Sequence, residues 1–536
     1  MDIKRAKKEI KDSIEAYLHK DVFGEYMIPA INQRPILLMG PPGVGKTQIM
    51  EQIARECKIG LVAYTITHHT RQSAIGLPFI EKKEFGGSLY SVTEYTMSEI
   101  IASVYEKIEE SGHKEGILFI DEINCVSETL APTMLQFLQC KMFGNQRVPS
   151  GWIIVAAGNP PEYNKSVREF DVVTLDRIKK IDIEADFEVW KEYAYQAEVH
   201  PAVISYLDIK RDYFYKIETT VDGKLFATAR GWEDLSRLIK VYEKLGKKVD
   251  RDVVYQYIQH WKIAKDFANY LELYTKYKKD YGLERILAGQ NDESTLEKIK
   301  FAAFDERLSV VSLLLGRLGE MMKDSYACDR YVTEIYGYMK QYKEMLGDIE
   351  WEGMDEKLYA NGGVMKTIYR QAAADLEETK RKEELSRQER GMKERVVHTL
   401  ETYWKHLKEH RLSGEAGFEE IKKLFAKETE NREVLIENAA RALDAAFDFM
   451  EDAFGEGQEM VVFITELNTN FYSVQFLKDN DCDKYYKYNK GLLLDERRKR
   501  FWIKWMKLNL KLRESLCRHP RRFFEYTDSK YAAECR

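Results

Sequence analysis

The chain has 536 residues, of which 44% are hydrophobic, 12% aromatic and 32% charged, with a formal net charge of -6 at pH 7. That apolar and aromatic content can fill several packed cores and excludes an intrinsically disordered chain, while the mildly acidic balance gives no global signature of nucleic-acid binding. Seven cysteines, at 57, 125, 140, 328, 482, 517 and 535, form no C-x-x-C pair and read as reduced thiols of a cytoplasmic protein rather than a disulfide frame or zinc site.

Residues 1–33 read as an N-terminal helical arm, with Ile10, Ile14 and Leu18 at helical spacing and charges where a signal peptide needs an apolar core. Ile36 to Met39 form a short buried-strand pattern that runs into Gly40, Pro41, Pro42, Gly43, Val44, Gly45, Lys46 and Thr47, a complete G-x-x-x-x-G-K-[ST] phosphate loop. In such a loop the glycines let backbone N–H groups turn onto phosphates, the lysine adds a point charge, and the Thr hydroxyl ligates magnesium. These eight residues, with Gln48 after them, are the expected nucleotide-binding set. Ile49, Met50, Ile53 and Cys57 continue at helical spacing, so the positive end of a helix faces the same phosphates.

Residues 61–67 read as a second strand. Residues 79–92 flank Gly86-Gly87 and read as a β-hairpin inserted before a helix that starts near Ser98. His68 and His69 are adjacent, hence on opposite faces of a strand, and have no third ligand at a diagnostic spacing, so no metal site is expected there. Residues 116–124, GILFIDEIN, place Asp121 and Glu122 at the carboxyl end of a buried parallel strand, where open α/β sheets bind ligands. Asp121 suits the magnesium shell, and Glu122 suits orientation of an attacking water. A further strand, residues 152–158, ends at Asn159, whose amide could bond the water or the γ-phosphate; on that residue alone, an ordinary turn Asn is the alternative.

The order of phosphate loop, strand with Asp121 and Glu122, strand ending at Asn159, then Thr174-Leu175-Asp176-Arg177 resembles the AAA+ ATPases and, within them, the MoxR-like group. The hairpin in the second helix, the run RQSAIGLP at 71–78 and TARGWEDLSRL at 228–238 are also similar to that group. The resemblance covers about residues 35–240. It implies an α/β P-loop core with a parallel sheet of order 5-1-4-3-2, a helical lid, and a homo-oligomeric ring, usually a hexamer, with ATP and Mg2+ between neighbours. Within that pattern Lys46, Glu122, Asn159, Arg177 and Arg230 form the catalytic set, and Thr47 and Asp121 the metal set. Arg177 matches the arginine finger and Arg230 the sensor 2 arginine. Ile178 stands where the family usually has Phe, and VREFDVVT at 167–174 replaces the usual lead-in, so Arg168 is a second candidate finger.

The same resemblance implies chaperone-like remodelling of protein clients, often with a partner carrying a von Willebrand factor A domain. The reading from another class is a nucleic-acid-directed motor related to restriction NTPases. A nucleotide-gated scaffold without turnover is disfavoured by the intact Lys46, Asp121 and Glu122.

From Asp186 the pattern is that of the lid, with Phe187, Trp190 and Tyr193 or Ala194 on one face and a turn-containing excursion at 219–226 before the helix of Arg230. Beyond Gly246 the chain reads as nearly all helix, its tyrosines as packing residues. Residues 375–395 form a charge run with Glu377/Arg381, Glu378/Lys382 and Glu383/Arg387 at i,i+4, followed by Met392, Val396, Leu400 and Leu407, and predict one long helix. Apolar runs such as 308–318 fall short of the roughly 20 residues of a membrane span. Residues 497–522 hold eleven Lys and Arg against Glu514 alone; Arg500, Lys504, Lys507 and Lys511 fall on one helical stripe and Phe501, Trp505, Leu508 and Leu512 on the next. That stripe suits a helix docked on its own domain, or an acidic partner, nucleic acid or a membrane surface. The expected domains are the arm at 1–33, the α/β core at 34–185, the lid at 186–248, a helical extension at 249–490 and a basic tail at 491–536.

Overall fold

Five short strands, the central three buried on both faces, set the architecture of the computed structural model, which describes residues 1–491 except 69, 144, 164–166, 168, 169, 222 and 348–361. His69, the alternative finger Arg168 and the basic stretch with Arg500, Lys504, Lys507 and Lys511 therefore lie outside the described residues. The strands are Ile36–Met39, Gly60–Thr65, Gly116–Asp121, Trp152–Gly158 and Lys179–Asp182. They form one parallel sheet in which the first strand lies between the fourth and fifth, and the third between the second and fourth. Numbered along the chain, the order is 5-1-4-3-2, as expected.

Parallel neighbours need crossover connections, which put helices on both faces and bury the central strands twice over. The first strand shows this by alternation: Leu37 packs with Ile101, Leu118, Ile120 and Phe137, whereas Ile36 and Leu38 pack with Ile10, Ile49, Ile53 and Phe119. Helices Glu99–Ser111 and Ala131–Cys140 cover the Leu37 face, and Lys46–Cys57 the other. The N-terminal arm is part of this second layer. Its helix, Ile3–Leu18, opens at Asp2, whose carboxylate accepts the Arg5 N–H at 2.8 Å, and it buries Ala6, Ile10 and Ile14. Exposed pairs such as Lys11 with Glu56 at 3.1 Å contribute little beside that apolar stripe.

The inserted hairpin is Pro78–Phe85 with Ser88–Tyr95; Phe85 pairs with Ser88, which leaves Gly86-Gly87 as a two-residue turn. Helix Glu99–Ser111 follows Ser98, at the position expected. Beyond the sheet, helices Phe187–Gln196, Pro201–Ile209, Ala229–Lys244, Arg251–Tyr257 and Trp261–Asp280 are interrupted by a second hairpin, Lys216–Thr220 with Gly223–Ala227. Trp232 is fully buried among them, edge-on to Phe267 at 5.2 Å, and Phe267 is edge-on to Tyr206 at 5.1 Å. Such aromatic pairs add about 0.5–1.5 kcal/mol each beyond their area.

The chain forms two compact units. One comprises Met1–Asp280 and Glu320–Ile436, the other Tyr281–Gly319 and the described residues from Glu437 onward. Residues 249–490, expected as one extension, are thus shared between them, because helices Phe304–Gly347 and Gly414–Phe454 each contribute to both. In the first unit Tyr331, Tyr342 and Tyr403 pack with Ile335, Met365, Leu400 and Leu407, so these tyrosines are core residues. In the second, Phe447 meets Phe463 edge-on at 5.2 Å, and the buried Glu459 pairs with Arg307 at 3.0 Å.

The single helix expected over 375–395 is two. Gly363–Arg381 ends in a turn where Glu383 takes φ 55°, and Arg387–Glu409 begins after a capping box. Ser386 accepts the Glu389 N–H at 3.2 Å, while Glu389 accepts the Ser386 N–H at 3.1 Å. The S-x-x-E start signal sat inside the charge run, and the reciprocal cap overrides the run's helix propensity. Glu378 still pairs with Lys382 at 2.6 Å, but Glu383 turns to Lys107 of helix Glu99–Ser111 at 2.8 Å. No helix among the described residues is long and apolar enough to cross a membrane.

Candidate functional site

At the carboxyl edge of the sheet the chain leaves Ile36–Met39 and turns through residues 40–45 into helix Lys46–Cys57. Gly43 and Gly45 make the turn with φ 78° and 92°, a left-handed conformation that L side chains resist. Lys46 is only 8% exposed, and its ammonium donates to Gly40 O at 2.8 Å, Pro41 O at 3.0 Å and Asn159 Oδ1 at 2.9 Å. Burial pushes its pKa down to about 8; the charges of Asp121 and Glu122 oppose the shift and that of Arg230 adds to it. A buried cation whose three bonds all go to neutral acceptors is electrostatically incomplete, and a phosphate group supplies the missing charge.

Thr47 Oγ1 donates to Asp121 Oδ2 at 3.0 Å. This sets a hydroxyl and a carboxylate oxygen side by side at the helix start, hard donors of the kind Mg2+ takes. The other Asp121 oxygen accepts the Glu122 N–H at 2.9 Å, which fixes the carboxylate plane. Glu122 itself has φ 57°, ahead of the short 3-10 turn Ile123–Cys125. Left-handed backbone at a side chain of this size costs on the order of 1 kcal/mol or more, and here it falls on a carboxylate at the end of the buried strand.

Asn159 is held by a residue to which the sequence assigned no role. Asn124, 2% exposed, donates through Nδ2 to Asn159 O at 2.8 Å and accepts the Asn159 N–H at 3.3 Å. The Asp-Glu-Ile-Asn run contained it, but one polar residue in a turn has no periodicity to mark it as buried. Asn124→Ala leaves both backbone groups of Asn159 without these partners, with an expected loss of about 1–3 kcal/mol of stability in denaturant unfolding. A loss below about 0.5 kcal/mol would show that these bonds do not hold the loop.

Arg230 enters from the lid. Thr228 caps helix Ala229–Lys244 by accepting the Gly231 N–H at 3.2 Å, and Gly231 has no room for a side chain because a Cβ would lie 2.7 Å from Tyr257 O. Trp232 Nε1 donates to Tyr213 O and Phe214 O, each at 3.2 Å. So anchored, the helix start lies against the phosphate loop: a Cβ built at Gly43 would lie 3.3 Å from that of Arg230. The structure therefore brings Lys46, Thr47, Asp121, Glu122, Asn159 and Arg230 to one place. Arg177 is exposed and engaged elsewhere, donating to Gln139 Oε1 at 2.6 Å, with its neighbour Ile178 buried in the core.

A cavity of about 240 Å³ adjoins the loop, lined in part by Val44, Gln48, Trp190, Tyr193 and Glu233 and by Lys7 of the N-terminal helix. Tyr193 donates to Glu233 Oε1 at 3.0 Å; burial, then the charge and bond of Glu233, push the Tyr193 pKa up to about 12. A lining that mixes apolar walls with a few polar groups suits a flat heteroaromatic base. The helical stripe of the N-terminal arm predicted its buried face, and no motif predicted that Lys7 would meet this cavity.

Residues 36–175 match the model of the family described as ATPase family associated with various cellular activities (AAA). The matched span holds the phosphate loop, Asp121, Glu122 and Asn159, and stops short of Arg177 and Arg230. Among solved structures, an arginine-to-alanine variant of Thermotoga maritima RuvB is similar at 17% sequence identity, over 48% of this chain and 68% of that one, with a TM-score of 0.25. No curated protein matches the chain significantly.

Proposed function

We propose, from the premise that residues 36–175 form an ATPase domain of the AAA family, that the chain binds ATP with Mg2+ around Lys46 and hydrolyses it to ADP and phosphate. The observation that carries the reading is the buried Lys46 ammonium, bonded to neutral acceptors, beside the Thr47–Asp121 pair at 3.0 Å. Lys46 exchanges loop carbonyls for phosphate oxygens, and the N–H groups from Gly43 to Thr47 add the dipole of the helix start. Thr47 and Asp121 would hold the metal, which would supply neutralisation of the phosphate charge. Glu122 orients the attacking water, Asn159 bonds that water or the γ-phosphate, and Arg230 ties the phosphates to the lid. Arg177, exposed and away from its own loop, serves the site of the next subunit in a ring, usually hexameric in the MoxR-like group.

Membership of that group is supported by the hairpin Pro78–Phe85 with Ser88–Tyr95 and by the Thr228–Gly231–Trp232 arrangement that presents Arg230. With it goes the fuller reading: a cytoplasmic remodeller of protein clients, working with a von Willebrand factor A domain partner. The basic residues 497–522 favour a second reading, a nucleic-acid-directed motor. If Arg500, Lys504, Lys507 and Lys511 track a duplex backbone, log K falls with log salt at a slope of about -3.6 for about four phosphates neutralised. The rest of the chain is net acidic and repels a polyanion within the screening length of roughly 8 Å, so weak binding and unstimulated, Mg2+-dependent hydrolysis are expected near physiological salt. The check is a salt titration of nucleic-acid binding and ATPase activity, for the wild type and for a variant with all four residues changed to Glu. Steep-sloped binding lost in the variant, together with stimulated hydrolysis, would replace the remodeller with the motor.

A further inference from the structure

Both loops that meet at Lys46 are gripped by the same lid hairpin, Lys216–Thr220 with Gly223–Ala227. Tyr215, immediately before it, donates its hydroxyl to Pro42 O at 3.0 Å. Lys224, opposite Thr219 on the second strand, donates to Glu162 O at 3.1 Å and Tyr163 O at 3.2 Å. Those carbonyls end the turn that follows Asn159, closed by the Tyr163 N–H on Pro160 O at 3.1 Å. We propose that Tyr215 and Lys224 are positioning residues of the ATPase site: Tyr215 aims the first N–H donor of the phosphate loop, and Lys224 fixes the turn behind Asn159.

The argument for Tyr215 starts from composition. Pro41 and Pro42 have no N–H, so Gly43 supplies the first backbone donor after Gly40. In a trans peptide the C=O of Pro42 and the N–H of Gly43 share one plane and point in opposite directions. Every peptide bond among the described residues is trans, so a bond that holds Pro42 O also sets the direction of the Gly43 N–H. Lys46 cannot serve this purpose. Its three N–H groups are already spent on Gly40 O, Pro41 O and Asn159 Oδ1, and at least one must be released to meet a phosphate. When that exchange happens the loop loses a tie, and the Tyr215 bond to Pro42 stays. Burial and the neighbouring Tyr163 raise the Tyr215 pKa, which keeps the hydroxyl a donor at neutral pH.

Lys224 acts on the other loop. Asn124 holds Asn159 through its backbone N–H and C=O, and Lys224 holds the end of the turn that follows. Because the hairpin joins the two grips, a shift of the Asn159 loop is transmitted to Pro42 and, through Thr228, to Arg230. The two residues thus act on different steps: Tyr215 on nucleotide binding, Lys224 on the geometry of the group beside the γ-phosphate.

The inference rests on the nucleotide reading, and its test separates the two. Binding of a fluorescent ATP analogue and steady-state hydrolysis are measured for wild type, Tyr215→Phe, Lys224→Ala and Lys224→Arg, with thermal midpoints to show that each is folded. Tyr215→Phe removes one neutral hydrogen bond and is expected to weaken binding about fivefold, with kcat at saturation within about twofold. Lys224→Ala is expected to lower kcat about three- to tenfold with affinity nearly unchanged, and Lys224→Arg to restore it. Wild-type affinity in Tyr215→Phe, or equal loss of affinity and kcat in Lys224→Ala without rescue by Arg, would overturn the assignment. A wild type that binds no analogue would instead overturn the nucleotide reading, and this inference with it.

Discussion

Lys46→Ala is expected to lose ATP binding, whereas Glu122→Gln keeps binding and loses turnover by about 10²- to 10⁴-fold, the range of general-base and water-orienting groups. The difference follows from where each group sits. Lys46 is buried between Gly40, Pro41 and Asn159, so its charge faces the phosphates in ground state and transition state alike; removing it takes away uniform binding and leaves three acceptors without a donor. Glu122 acts on Lys46 through its charge rather than as one of its three bonded acceptors, so its replacement by an isosteric amide leaves those acceptors in place and removes the carboxylate that orients water. Equilibrium binding of a labelled nucleotide and phosphate release, on protein freed of contaminating ATPase, check both halves. Near-normal turnover by Glu122→Gln would remove Glu122 from the catalytic set.

The second large effect is expected from Arg177. A finger supplied in trans contributes about 10³ to 10⁵ in turnover and little to nucleotide binding, so Arg177→Ala should bind as the wild type does and hydrolyse almost nothing. Gln139 is its partner within the chain, and Gln139→Ala should leave turnover nearly unchanged, because that bond must break when the guanidinium reaches a neighbour. Mixing makes the trans geometry visible. Arg177→Ala and Lys46→Ala subunits, each inactive alone, should recover partial activity when combined, since some interfaces then carry an intact finger against an intact phosphate loop. No recovery despite demonstrated subunit exchange would shift the role to Arg168.

What was legible in the sequence was whatever leaves a periodic or contiguous trace. The strand patterns at 36–39, 116–121 and 152–158 announced themselves because strands buried on both faces are runs of apolar residues. The phosphate loop did so because its backbone geometry tolerates few residue types at Gly43 and Gly45. Asp121, Glu122 and Asn159 then followed, since a parallel sheet delivers the ends of its strands to one edge. The capping box at Ser386 and Glu389 was also written in the chain, but local charge pairing pointed to a continuous helix, and the reciprocal side-chain bonds decided otherwise.

Only the tertiary structure decided which distant residues support that edge. Asn124 on Asn159, Tyr215 on Pro42, Lys224 on the turn at 160–163 and Lys7 beside the cavity are single polar groups whose partners lie 35 to 173 residues away or across a layer. One hydrogen bond needs one donor at one distance, and it imposes no spacing on the residues around it. Composition and periodicity record the burial of whole faces, where many residues must agree. The aim of a single side chain is set by how the faces pack, and so it appears only once they have.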